Sequence, residues 1–493
     1  MAKEESKKNA GNDVNGEPEI ASIVPQEQVS ETQKTVLIGG KKINYTATAG
    51  TMLLKDEKGK PKASIFYVAY SRRGVKNLGT RPITFSFNGG PGSSSVWMHM
   101  GVLGPRRVQM PNEGTAPPLP YHLVDNEYSI LDKTDLVFID PVSTGYSRPA
   151  PDEEAKQFHG LAQDIESVGE FIRLYTTRNK RWSSPKFLIG ESYGTTRSAG
   201  LAGHLQDRHG MYLNGIMLIS SILNFQTARF SIGNDLPYIL FLPTYTATAW
   251  HHKLLSKTHQ KQSLRKLLDE VEAFAQGDYT LALMKGATLA QDERAAIVQK
   301  LAQYTGLTPE YIERTNLRIN IQRFTKEVLR SKQATVGRFD SRMIGTDRDG
   351  AGEVYDYDPS YVTVQGVYTA MVNDYLRGEL KFESELTYEI LTGLYLKWDF
   401  GKQNEFVNVA ETLRSAMTKN PYLKIFVGNG YYDLATPYFA TEYTFNHLDL
   451  APTLQSNIQM AYYEAGHMMY THFPSLKKMK KDLDAFMDTA VSG

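Results

Sequence analysis

The serine best placed to act as a nucleophile in this sequence lies in Gly190-Glu191-Ser192-Tyr193-Gly194. The pattern G-x-S-x-G directly follows the run Lys186 to Ile189, of the kind found in buried strands, and precedes Thr195 to Leu205, which has helical character. A nucleophile elbow requires this order of strand, sharp turn and helix: the turn strains the backbone at the serine and crowds the residues two places away, which must be small. The pattern is degenerate and also arises by chance in loops containing glycine and serine, so its context carries the assignment.

A serine hydroxyl is a poor nucleophile at neutral pH and needs a base oriented by a third group. Two downstream loops supply candidates. Asp433 ends Gly428-Asn429-Gly430-Tyr431-Tyr432-Asp433, just past a strand read over Lys424 to Val427. Ligands of open α/β sheets bind at such strand ends. His467 ends Tyr463-Glu464-Ala465-Gly466-His467, after a strand read from Ile458. Singly, Asp433 would read as a turn residue and His467 as one of eleven histidines. Their placement after successive strands, in the order Ser, Asp, His, is the chain order of an α/β-hydrolase triad.

Acyl transfer also needs donors for the developing oxyanion. Asn88-Gly89-Gly90-Pro91-Gly92-Ser93-Ser94-Ser95 follows a strand read over Pro82 to Phe87. Its glycines let the backbone approach a substrate, and Pro91 stiffens the loop. A glycine-rich loop after a strand can also cradle phosphate, but neither a Walker lysine nor G-x-G-x-x-G spacing is present.

Together, Asn88-Gly89-Gly90-Pro91-Gly92, then Asp140-Pro141-Val142 with Thr144-Gly145-Tyr146-Ser147, then the Ser192 motif and finally Gly466-His467-Met468 resemble the serine carboxypeptidases, from roughly Ser64 to His467. The resemblance implies hydrolysis of the last peptide bond of a peptide, releasing one amino acid, without metal or cofactor. It implies that the backbone N–H groups of Gly90 and Tyr193 form the oxyanion hole. It further implies that Asn88 and Glu191, with a backbone donor from Gly89, hold the substrate's terminal carboxylate. The sequence departs from the family in three places: Ser93 stands where a cysteine is usual, the disulfides are missing, and Val102 replaces a carboxylate that would pair with Glu191. The last departure bears on terminal-carboxylate preference and leaves the triad untouched.

The elements that must position these residues are short β-branched and aromatic runs: Pro82 to Phe87, Asp135 to Ile139, Lys186 to Ile189, Gly215 to Ser220, Lys424 to Val427 and Ile458 to Tyr463. Between two of them Leu161, Ile165, Val168, Ile172 and Tyr175 recur at three- and four-residue spacing, giving a helix with one apolar face. Strand, helix, strand implies parallel pairing. Ahead of these, Lys34 to Ala49 and Ala63 to Arg72 alternate around Gly39-Gly40 and Lys58-Gly59-Lys60, as antiparallel strands do.

From Phe225 to Gly393 the pattern is helical. Leu264, Leu267, Leu268, Val271 and Phe274 form one stripe, Thr288 with Gln291 offers a capping box, and Thr308-Pro309-Glu310 starts another helix. The expected fold is therefore an α/β-hydrolase: a central, mostly parallel sheet with helices on both faces and an inserted helical cap. The expected units are a disordered tail over 1–33, a catalytic domain over 34–224 and 394–493, and a cap over 225–393.

Composition bounds the partners. Lys and Arg number 55 against 54 Asp and Glu, leaving no basic surplus for nucleic acid. No uninterrupted apolar run reaches membrane-spanning length. Cysteine is absent, which excludes a thiol nucleophile and cysteine-ligated metal. Residues Met1 to Val29 lack an apolar h-region, so the sequence as it stands reads as cytoplasmic, with a periplasmic or secreted location if a leader has been removed. Nothing fixes the oligomeric state, and a homodimer is allowed.

Asp347-Arg348-Asp349-Gly350-Ala351-Gly352 has a calcium-loop flavour, but Ala351 breaks the ligand pattern and the stretch reads as a plain loop. The expected partner is a peptide with a free C-terminus. An esterase or acyltransferase on the same triad is the alternative, and a non-catalytic binding protein on the same scaffold is the reading of a different class.

Overall fold

A computed structural model describes residues 26–492. Three long strands open the sheet: β1 (Val29–Ile38), β2 (Lys41–Lys55) and β3 (Pro61–Arg72), paired antiparallel around the two turns expected at Gly39-Gly40 and Lys58-Gly59-Lys60. The stretch read as a tail therefore ends earlier than 33. Residues 29–33 already pair with β2, and the rest of the expected tail, 1–25, lies outside the described residues. In β1, burial alternates weakly along a polar edge strand, which explains why composition suggested a tail.

The remaining sheet is parallel. Strands β4 (Ile83–Phe87), β5 (Asp135–Ile139), β6 (Lys186–Ser192), β7 (Gly215–Ser221), β8 (Lys424–Gly430) and β9 (Ile458–Tyr463) complete the order β1-β2-β3-β5-β4-β6-β7-β8-β9, with Arg148–Pro149 added beside β3. β5 joins β3 antiparallel and β4 parallel. Successive residues of the inner strands enter opposite cores: in β7, Ile216 and Leu218 face one and Met217 and Ile219 the other. This is why these strands read as unbroken apolar runs.

One face is covered by helices α1 (Leu161–Arg178), α2 (Tyr193–His209) and, later in the chain, Ala410–Lys419. The stripe expected on α1 is the buried one: Val168, Ile172 and Tyr175 are in the core, and Leu161 and Ile165 pack at its edge. The opposite face is covered by the C-terminal helix Phe473–Ser492 and by Pro359–Asp374. Among the described residues no helix is long and apolar enough to cross a membrane.

The helical block enters after β7 and leaves before β8, but it divides in two. Helices α3 (Leu236–His251), α4 (Leu264–Phe274), α5 (Gln291–Thr305) and α6 (Pro309–Arg314) share a core of their own, joined by Tyr431, Tyr432 and Tyr438 from beyond β8. The helix Pro359–Asp374 instead places Val364, Val367, Tyr368, Met371 and Val372 in the main core. Those residues recur at helical spacing, a stripe that joins this helix to the catalytic body rather than to the cap.

Thr308 caps α6 by accepting from the N–H of Tyr311 at 3.2 Å. The box expected from Thr288 and Gln291 does not form. Ala290 is the N-cap of α5, Glu293 accepts from its N–H at 3.3 Å, and the Thr288 hydroxyl turns to the carbonyl of Lys285. In the loop after Asp347, Lys326 Nζ meets the Asp347 carboxylate and lies 2.8 Å from the carbonyl of Asp349, so a side-chain ammonium supplies the cation there.

Candidate active site

β6 ends in the elbow. Ser192 has φ 61° and ψ −129°, a region costly for any side chain but glycine, and α2 begins at the next residue. The turn closes so tightly that a Cβ on Gly190 would lie 2.2 Å from the carbonyl oxygen of Gly194. The small residues flanking the serine are therefore a steric requirement. Ser192, His467, Gly90, Tyr193, Asn88, Gly89 and Glu191 all line one cavity of about 690 Å³.

His467 Nδ1 lies 2.8 Å from Asp433 Oδ2, both side chains being buried. Asp433 is held from behind: Oδ1 accepts from the N–H groups of Ala435 (2.8 Å) and Thr436 (3.0 Å), and Oδ2 accepts the Thr436 hydroxyl at 2.6 Å. Burial alone would strip His467 of its proton, but the adjacent Asp433 charge and hydrogen bond outweigh it, so its pKa is raised above the ordinary value. With Nδ1 committed to Asp433, Nε2 is the nitrogen left for chemistry.

The loop carrying His467 is braced by the insert, a relationship the sequence reading missed. The N–H of His467 donates to the carbonyl of Phe339 at 2.6 Å, and the Phe339 ring lies 5.0 Å from the imidazole, tilted by 32°. Asp340 accepts from the N–H of Gly466 at 3.1 Å and is itself paired with Arg342 at 2.6 Å. From the other side the Ser220 hydroxyl donates to the carbonyl of His467 at 2.7 Å. None of these residues has a local pattern that announces the role; only their proximity to His467 does.

The glycine-rich loop after β4 packs backbone to backbone on the elbow. A Cβ on Gly89 would stand 2.4 Å from the amide nitrogen of Tyr193, a contact only glycine permits. Gly90 is exposed to the cavity, and the N–H of Tyr193, in the first turn of α2, has no carbonyl one turn earlier to bond within the helix. These two amides are thus suited to meet an oxygen brought to Ser192. Ser95 ties the loop down, its N–H donating to Asp140 at 2.8 Å, and burial pushes the Asp140 carboxyl up to about 6. Ser93 accepts from the indole N–H of Trp97 at 2.9 Å.

Asn88 is held through both polar atoms of its side chain and through its carbonyl. Its amide oxygen accepts from the N–H of Met98 at 3.0 Å, its amide nitrogen donates to Glu191 Oε1 at 2.9 Å, and its carbonyl accepts from Arg197 Nη1 at 2.6 Å. Arg197 in turn forms a fully buried ion pair with Asp164 at 2.7 Å, linking α1, α2 and the loop. Burial pushes the Glu191 carboxyl up to about 7; the His467 charge pulls it back and that of Asp433 adds to the rise. Val102 is wholly buried in the apolar core and brings no second carboxylate.

A family model described as serine carboxypeptidase matches residues 41–480. Among curated proteins the chain is 31% identical over 160 residues to serine carboxypeptidase-like 33 of Arabidopsis thaliana, covering 32% of this chain and 30% of that protein. It is 33% identical over 139 residues to the pheromone-processing carboxypeptidase KEX1 of Cryptococcus gattii, covering 28% of this chain and 19% of that protein. The matched stretches thus span less than a third of those relatives' length. Among solved structures it is similar to KEX1(delta)p, a prohormone-processing carboxypeptidase from Saccharomyces cerevisiae, with a TM-score of 0.55, 16% identity and coverage of 90% of this chain and 91% of the other. At that identity the likeness carries the fold alone.

Proposed function

This chain belongs to the serine carboxypeptidase family, and we propose that it hydrolyses the C-terminal peptide bond of peptides through an acyl-enzyme on Ser192. The observation that carries this reading is the meeting, in one cavity, of a strained Ser192, a His467 backed by the buried Asp433, and the Asn88–Glu191 pair.

The Ser192 hydroxyl attacks the scissile carbonyl while His467 Nε2 takes its proton, and Asp433 steadies the imidazolium that results. The oxyanion is met by the N–H groups of Gly90 and Tyr193. Collapse breaks the C–N bond, and His467 returns the proton to the departing amine. Water then attacks the ester with His467 again as base, releasing the shortened peptide and restoring Ser192.

Asn88 and Glu191, with Gly89, hold the carboxylate of the leaving residue. For this Glu191 must be protonated, because two carboxylates in contact repel when both are ionised. Its burial supplies that proton near neutrality.

One observation favours a second reading. With Val102 in place of a second carboxylate, terminal-carboxylate recognition is thinner, and an esterase or acyltransferase on the same triad would not need it. Assaying a free-acid dipeptide derivative beside a simple ester, with and without an amine or alcohol acceptor, separates the two. Faster turnover of the free-acid peptide supports carboxypeptidase action; hydrolysis or transfer confined to the ester replaces it.

A further inference from the structure

Among the described residues, two arginines lining the cavity stand without an acidic partner. Arg229 lies just past the turn Phe225–Ala228 that follows β7, and Arg338 precedes Phe339 on the segment packed against His467. The Arg229 guanidinium carbon lies 5.6 Å from the centre of the Phe225 ring, and that of Arg338 lies 5.3 Å from the centre of the Phe339 ring. Arg81, Arg181, Arg197 and Arg342 each meet an aspartate at 2.7 Å or closer; Arg229 is exposed and Arg338 half-buried. Among the described residues, neither Arg229 nor Arg338 meets a carboxylate at ion-pair distance.

Asp358 also lines the cavity, but its Oδ1 is engaged by the backbone N–H groups of Arg338 (3.1 Å) and Ser360 (3.0 Å) and by the Ser360 hydroxyl. Desolvation and the like charge of Arg338 both lower the pKa of Arg229, the sense expected of two cations that repel across one cavity. An anion seated between them would relieve that repulsion and supply the hydrogen-bond acceptors that both forks lack.

Sheet order says which part of a substrate reaches them. β6, bearing Ser192, has β4 on one side and β7 on the other. The β4 loop carries Asn88, while β7 pairs its Ser221 with Ser192 and leads to Arg229. Arg229 and Asn88 thus approach Ser192 from opposite flanks.

We propose that Arg229 and Arg338 form an anion-binding subsite for an acidic side chain on the acyl side of the scissile bond, so that the favoured peptides carry Asp or Glu next to their C-terminal residue. The assignment to the acyl side rests on the carboxypeptidase reading, in which Asn88 and Glu191 hold the leaving residue. A two-arginine clamp recognises a planar carboxylate better than an amide of the same shape, so selectivity between Glu and Gln is its signature.

The test uses peptides identical except for Glu, Gln or Lys in the penultimate position, assayed with wild type, Arg229→Gln, Arg338→Gln and Arg229→Lys, each checked for a native thermal transition. The readout is the ratio of kcat/KM values, so a general loss of activity cancels. Wild type should favour Glu over Gln by about tenfold, a factor typical of one charge-assisted contact, with Lys below Gln. Either glutamine variant should bring Glu and Gln to within about twofold, and Arg229→Lys should keep part of the preference. Equal ratios in wild type, a Glu preference that survives both glutamine variants, or a preference for acid only in the leaving residue would each overturn the proposal.

Turnover of the Gln peptide tests the carboxypeptidase reading separately. Should no peptide be cleaved, the subsite is read on Ser192 itself, using a fluorophosphonate with a carboxyalkyl arm beside its methyl ester; both phosphonylate the serine and release fluoride. Faster labelling by the acid in wild type, and its loss in both glutamine variants, supports the subsite. Equal labelling by the two probes sinks it.

Discussion

Asn88 holds Glu191 by one oxygen only: the amide donates to Oε1 at 2.9 Å, while the buried Oε2 has no hydrogen-bond partner among the described residues. The Tyr470 hydroxyl, buried beside this pair, also stands outside hydrogen-bond geometry. A half-satisfied carboxyl in a dry site keeps its proton to a higher pH than a solvated one.

The sign of the resulting pH effect follows from that proton. Burial raises the Glu191 carboxyl to about 7, so it is neutral below that pH and ionised above it. KM for a free-acid peptide should therefore climb as pH passes upward through about 7, while KM for the amidated peptide stays nearly level. Glu191→Gln, which cannot ionise, should flatten the climb. Parallel KM profiles for the two wild-type substrates would mean that Glu191 does not read the terminus.

Asp433→Asn should leave substrate binding nearly intact and depress turnover on the order of 10⁴-fold, the loss known when an orienting carboxylate is replaced by an amide. Steady-state kinetics on the folded variant checks this. Glu464, the acidic residue nearest His467 in sequence, is exposed and its carbonyl serves Arg342, so it is not positioned to substitute.

The motif-bearing residues Asn88, Gly89, Gly90, Glu191, Ser192, Tyr193, Asp433 and His467 were legible in sequence because each lies at or just past the end of an apolar run, where local rules suffice. Their converging on one site, with Asp433 buried behind His467, is what those rules predict for the ends of parallel strands. Phe339, Asp340 and Ser220 were not legible: each reaches the His467 loop from more than a hundred residues away, and no spacing links them. The division of the helical insert was missed because an apolar stripe, such as that on Pro359–Asp374, tells that a helix is covered but not by which neighbour. Val29 to Gln33 was missed for the opposite reason, an edge strand being polar enough to pass for a tail.

Asp340 acts on His467 through the Gly466 amide, and so is a positioning residue. Asp340→Ala should lower kcat by roughly 10- to 100-fold, the worth of one or two buried polar contacts, with KM little changed. Asp340→Asn, which keeps an acceptor for that amide, should recover part of the loss. An unaltered kcat in Asp340→Ala would remove the insert from the catalytic account.

Arg197→Met should destabilise the fold by about 3–5 kcal/mol, because it leaves Asp164 charged and buried without its partner. Denaturant unfolding measures this directly. A change below 1 kcal/mol, small against a typical buried-pair loss, would show that the Arg197–Asp164 pair does not hold the Asn88 loop to α1 and α2.

The most direct test of the account is a mass-spectrometric time course on a mixed peptide library, run with wild type and Ser192→Ala. Wild type should give ladders in which residues leave one at a time from free C-termini, slower loss from amidated peptides below pH 7 with a gap that narrows as pH rises through about 7, and no ladder with Ser192→Ala. Internal cuts, loss from the N-terminus, or ladders that persist in the folded Ser192→Ala variant would contradict it.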